Sequence, residues 1–142
     1  MGRFVGIDFG TVRIGLAISD LTNFLARPLP LVRAGKDLKE TAKLLYQEIV
    51  QFLPLDAIIL GLPLHMNNTE SILSKQVRLF ATLLEEISKV PVILWDERLS
   101  TAQVERTLKE SSVNRKKRTK CIDSQTAAAI LQNYLDTQKS RI

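Results

Sequence analysis

The sequence predicts an α/β domain: a mixed five-stranded sheet, antiparallel on one side and parallel on the other, flanked by helices. Three observations carry this. Arg3–Phe9 and Arg13–Ser19 are β-compatible stretches separated by Gly10-Thr11, which reads as a hairpin. Asp56–Gly61 and Pro91–Trp95 are nearly continuous apolar runs, the pattern of strands covered on both faces. Helical stripes separate these runs, giving the order β-β-β-α-β-α-β-α-α.

After the hairpin, Leu29–Arg33 is the third strand, following Pro28 and closing at Gly35. Leu38, Ala42, Leu45, Ile49 and Phe52 recur at helical spacing, so Asp37 to about Leu53 is an amphipathic helix. Asp37 is its expected N-cap and Pro54 closes it. Leu62–Thr69 is a loop containing Pro63 and Asn67-Asn68. A second helix carries Leu73, Val77, Phe80, Leu84 and Ile87 on one stripe. Ser100-Thr101-Ala102-Gln103 fits a capping box and opens a third helix. The last helix runs from Ile122 to about Tyr134. No repeat, low-complexity tract or linker interrupts the chain, so residues 1–142 are expected to form one domain.

At 45% hydrophobic and 25% charged residues, the composition is that of a water-soluble globular protein. No apolar run is long enough to span a bilayer. The N-terminus enters a strand without a secretory segment, and the lone Cys121 can form no internal disulfide. A cytoplasmic protein with no membrane partner is expected. The net charge is +5, and Arg115-Lys116-Lys117-Arg118-Thr119-Lys120 carries five basic residues in six positions. Setting these five aside leaves Lys+Arg and Asp+Glu equal at fifteen each. The excess charge is therefore local, which points to a polyanionic partner such as nucleic acid; a solvated loop is the alternative.

Three acids stand out. Asp8 lies between Ile7 and Phe9 and, with a period of two, shares a face with Phe4 and Gly6. An ionised carboxylate there needs a cation, a basic partner or hydrogen bonds, and glycines at 6 and 10 leave room for a ligand. A strand-end aspartate bonded to the Gly10-Thr11 turn is the alternative. Glu97 follows the Pro91–Trp95 strand, and the carboxyl ends of parallel strands are where α/β sites are built. Its neighbours Asp96 and Arg98 also allow a surface ion pair. Asp123 shares a helical stripe with Ala127, Ile130, Leu131 and Tyr134. A first-turn acid favoured by the helix dipole explains it equally well. Acids from a strand, a strand end and a helix can converge on hard, oxygen-preferring cations. Spacing permits this arrangement without selecting it.

Four segments then occur in order: Gly6-Ile7-Asp8-Phe9-Gly10-Thr11-Val12-Arg13-Ile14-Gly15, Gly61-Leu62-Pro63-Leu64-His65-Met66, Asp96-Glu97-Arg98-Leu99-Ser100-Thr101 and Ile122-Asp123-Ser124-Gln125-Thr126-Ala127-Ala128. Together they resemble the YqgF family, also called RuvX, which is related to the RuvC-type resolvases. The likeness runs from Arg3 to about Asp136. It implies an RNase H-like fold, with Asp8, Glu97 and Asp123 as a catalytic set binding Mg2+ or Mn2+. It also implies endonucleolytic phosphodiester hydrolysis in one of two roles: maturation of the 5′ end of pre-16S ribosomal RNA, or Holliday junction resolution. One departure is Asn68, where the family usually carries glycine; asparagine is the residue best able to replace glycine in left-handed backbone.

Thr11, Arg13 and Arg98 lie beside these acids, where they can contact substrate phosphate, or in the arginines' case pair with the acids. The basic residues Arg115, Lys116, Lys117, Arg118 and Lys120 would track the nucleic-acid backbone. His65 and Cys121 are assigned no catalytic role, and Trp95 is expected in the core. Two other classes compete. Asp8-Phe9-Gly10-Thr11 also resembles the first phosphate loop of actin-like and sugar-kinase ATPases, but those clamp nucleotide between two such domains. A non-catalytic nucleic-acid-binding ribosome-assembly factor would use the basic run and not the acids. A homodimer would favour junction resolution, and a monomer RNA trimming.

Overall fold

The computed structural model describes residues 2–64, 71–99 and 124–139. The elements are β1 (Arg3–Asp8), β2 (Arg13–Ser19), β3 (Ala26–Arg33), α1 (Leu38–Ile49), β4 (Leu55–Leu62), α2 (Ile72–Ser88), β5 (Val92–Asp96) and α3 (Gln125–Lys139). Short 3-10 turns, Val50–Phe52 and Glu97–Leu99, follow α1 and β5. The expected helix from Ser100, the turn at Asn68, His65, Thr101, Cys121, Asp123 and the Arg115–Lys120 run lie outside the described residues.

The five strands are ordered β3-β2-β1-β4-β5. The β1–β2 and β2–β3 pairs are antiparallel, and the β1–β4 and β4–β5 pairs are parallel. This is the mixed sheet the sequence predicts. Two cores follow from strand alternation. Val5, Ile7, Ile14, Leu16, Ile58 and Leu60 face α1 and α2, which contribute Leu45, Ile49, Val77, Phe80 and Leu84. Ala17, Ala57 and Ile59 face α3, which contributes Ala127, Ile130, Leu131, Tyr134 and Leu135.

The first helix begins where the sequence places its cap. The Asp37 carboxylate accepts the Glu40 N–H at 2.8 Å and starts α1. Ser71 and Ser74 exchange side-chain and backbone bonds at the start of α2. At the tip between β2 and β3, Asp20 accepts from Thr22, Phe24 and Leu25, and these bonds hold its carboxyl below the ordinary carboxylate range.

Three boundaries differ from expectation. β3 starts at Ala26 and runs through Pro28 and Pro30, because it is an edge strand. Pro30 falls in the register shift opposite Gly15, where no ladder N–H is needed. The first helix ends at Ile49 and tightens into the 3-10 turn. The last helix continues to Lys139, five residues beyond Tyr134. One expectation is corrected: the apolar run Pro91–Trp95 predicts a strand buried on both faces, yet all five residues of β5 are half-buried. The strand closes the sheet's far edge, so only β4 flanks it.

Candidate nuclease site at the carboxyl end of the parallel strands

Strands β1, β4 and β5 run parallel, so Asp8, Gly61 and Glu97 arrive at one edge of the sheet. Asp8 is the last residue of β1. Ile7 pairs with Leu60, so the next residue on each strand, Asp8 and Gly61, also lie side by side. Glu97 opens the turn after β5 and is 1% exposed. Its side chain reaches inward over β4: Oε1 lies 2.8 Å from where a Cβ on Gly61 would stand. The Glu97 carboxylate therefore approaches Gly61 on the sheet face that carries α3, the face that Asp8, beside Gly61 on β1, also shares. Any side chain at position 61 would fill the space Glu97 occupies.

A floor of glycines lets α3 come this close. A Cβ at Gly6 would meet Leu131 Cβ at 2.7 Å and the Ala127 carbonyl oxygen at 2.9 Å. A Cβ at Gly15, the cross-strand partner of Asp8, would lie 3.4 Å from Asp8 Cβ and 3.5 Å from Ala127 Cβ and Ser124 Cβ. Ser124, at the start of α3, is thus a neighbour of Asp8. Its buried hydroxyl accepts the Leu16 N–H at 2.6 Å and donates to the Leu29 carbonyl at 2.7 Å. Those two groups flank the β2–β3 register shift, where the ladder is interrupted. One hydroxyl thereby fixes the first turn of α3 to the sheet beside Asp8. Periodicity does not reveal Ser124, because its partners are backbone groups exposed by a shift that no residue type announces.

The aromatic neighbours are structural. Trp95 packs edge-on against Tyr134 at 5.2 Å, and its Nε1–H donates to Asn133 Oδ1 at 2.8 Å. Phe9 turns to the opposite face and contacts Phe80 at 4.9 Å.

Of the polar residues expected here, Thr11 and Arg13 are exposed in and after the β1–β2 loop. Thr11 and Lys36 border a cleft of about 220 Å³ beside the start of α1. Arg98 turns onto Asp96: Nη2–Oδ2 is 2.6 Å and Nε–Oδ1 is 3.0 Å. These bonds hold the Asp96 carboxyl below the usual range. A phosphate contact by Arg98 would have to coexist with this pair. The Ala127, Ile130, Leu131 and Tyr134 stripe is buried against the sheet, as its spacing predicts. Asp123, directly before Ser124, and the Arg115–Lys120 run are outside the described residues. Among the described residues no group of three metal-ligating side chains assembles; the donors brought together are Asp8 and Glu97, both oxygen ligands.

Residues 2–137 match the family model described as "RuvX: Holliday junction resolvase". A protein of Protochlamydia amoebophila named "Putative pre-16S rRNA nuclease" is 43% identical over 141 residues, covering 96% of this chain and 94% of its own length. One of the same name from Listeria monocytogenes is 38% identical over 135 residues, covering 95% and 98%. Among solved structures, Thermus thermophilus RuvC in complex with a Holliday junction substrate superposes with a TM-score of 0.55 at 15% identity, covering 98% of this chain and 96% of that one. Fowlpox virus resolvase with Holliday junction DNA gives 0.54 at 14% identity, covering 96% and 98%. At these identities the likeness establishes the fold, which is RNase H-like.

Proposed function

The chain belongs to the RuvX family, and from that premise we propose that it is a nuclease hydrolysing phosphodiester bonds at the 5′ end of pre-16S ribosomal RNA. The observation that carries the reading is the buried Glu97 side chain reaching over Gly61, the strand neighbour of Asp8, at the carboxyl end of three parallel strands. Asp123, the residue before Ser124 in sequence, would complete the acid set, as the family resemblance implies.

The donor chemistry fits Mg2+ or Mn2+, since carboxylate oxygens suit hard divalent ions. When bound, such an ion polarises the phosphodiester and lowers the pKa of water. The protein's own residues do the rest. Glu97 is held in one orientation by burial between Gly61 and α3. Asp8 is fixed at a strand end and backed by Gly15. Thr11 and Arg13, with Arg98 where its Asp96 pair allows, orient the strand to be cut. The basic run Arg115, Lys116, Lys117, Arg118 and Lys120 gathers the polyanion. Among the described residues no helix is long and apolar enough to cross a membrane.

Junction resolution is the second reading, favoured by the description of the matching family. Incubating the purified protein with a pre-16S precursor and, separately, with a four-way DNA junction decides between them. The RNA is expected to be cut at a defined 5′ position; symmetric nicking of the junction alone would replace this reading with the second.

Gly61 supplies a further check. A Cβ there would lie 2.5 Å from Ile130 Cδ1 and 2.8 Å from Glu97 Oε1. Both are ends of flexible side chains, so the fold can adjust while Glu97 is displaced. Gly61→Ala is expected to lower kcat by about tenfold or more, about 1.4 kcal/mol of barrier. Its thermal midpoint should fall by only a few degrees. Steady-state kinetics beside a melting curve reads both quantities.

A further inference from the structure

We propose that Arg13 and Arg33 together form a clamp for one backbone phosphate of the substrate, next to the carboxylates on the β3 side. The two residues are direct cross-strand partners at the open end of the β2–β3 ladder. Both side chains are exposed. Gly15 faces α3, so Arg13, two residues earlier on the same strand, points to that face as well. Arg33, opposite Arg13, shares it. Gly15 is also the partner of Asp8. The arginine pair thus stands roughly 7 Å along the strand from Asp8, on the same side of the sheet.

Like charges placed directly opposite each other on a sheet disfavour folding. Among the described residues neither guanidinium has an ion pair or hydrogen bond that would offset this. Arg98, across the site, is held by Asp96. A phosphate group answers the arrangement: two planar guanidinium forks can each donate paired hydrogen bonds to its oxygens. Arg33 carries no motif of its own and becomes visible only through the register of β3. The substrate path then leaves the acids across β2 and β3, away from β5.

This inference rests on the reading of the chain as a nuclease, and its test separates the two. Binding of a labelled pre-16S 5′ fragment is measured over a series of salt concentrations, together with KM and kcat. The variants are Arg13→Ala, Arg33→Ala, the double variant, and Lys43→Ala on the far face of α1 as a control. Each single arginine variant should weaken binding and raise KM by about tenfold with little change in kcat, and should change the salt slope little, because the remaining arginine still neutralises the phosphate. The double variant should reduce the slope by one phosphate's worth, about 0.7–0.9, and its loss of affinity should fall short of the product of the singles. Melting curves of the arginine variants should show no loss of stability, since a like-charge pair is being relieved.

An unchanged KM and affinity in Arg33→Ala would overturn the clamp. So would a double-variant slope that falls twice as far, which would mean two separate phosphates. If Asp8→Asn still cleaves, the nuclease reading fails while the slopes continue to decide the clamp. If Asp8→Asn is inactive and Arg33→Ala is silent, the clamp alone fails.

Discussion

Asp8→Asn is expected to reduce cleavage at least about a thousandfold, about 4 kcal/mol of lost transition-state stabilisation, while RNA binding changes little. Asparagine keeps the size of the side chain and one carbonyl oxygen but removes the negative charge. Asp8 ends β1, and its backbone pairing with Gly15 is untouched by the substitution. Binding should persist because the residues proposed to contact phosphate are separate from it. Single-turnover cleavage and fluorescence anisotropy, run on the same preparation, read the two effects apart. Loss of function on reversing the charge of the Arg115–Lys120 run, with Asp8→Asn harmless, would instead indicate an assembly factor that binds without cutting.

Gly6→Ala carries the largest expected effect on stability. The new Cβ would stand 2.7 Å from Leu131 Cβ and 2.9 Å from the Ala127 carbonyl oxygen. Neither atom is the end of a flexible side chain, so α3 itself must lift from the sheet. Overpacking of this sort costs about 1–3 kcal/mol, which for a chain of this size lowers the thermal midpoint by roughly 3–10 °C. Lifting α3 also strains the Ser124 bonds to Leu16 and Leu29, so activity should fall further than the unfolded fraction explains. Calorimetry gives the stability and an activity assay below the transition gives the remainder. A melting curve identical to that of the unsubstituted protein would mean that α3 does not sit where the glycine floor places it.

The elements that the sequence made legible are those governed by a single period. The β1–β2 hairpin, the α1 and α2 stripes and the Ala127–Tyr134 stripe each follow from residues close in the chain. The edge position of β5 does not, because an apolar run records burial without saying how many neighbours a strand has. The start of β3 is similarly hidden: Pro28 looks like a boundary, yet on an edge strand proline is compatible with continuation. At the site, Asp8 and Glu97 announce themselves as acids beside apolar runs. Their meeting at Gly61 depends on the parallel register of β1, β4 and β5, which spacing alone does not fix. The same holds for Ser124 and Arg33, whose roles come from partners 95 and 20 residues away in sequence.

The most direct measurement maps the 5′ ends of a pre-16S precursor after incubation with the protein and with Glu97→Gln, at stepped Mg2+ or Mn2+ and with chelator. One new 5′ end should appear with the unsubstituted protein, rise with the divalent ion, vanish with chelator and be absent with Glu97→Gln. Cleavage that survives both chelation and the loss of the Glu97 charge would contradict a nuclease built on these carboxylates.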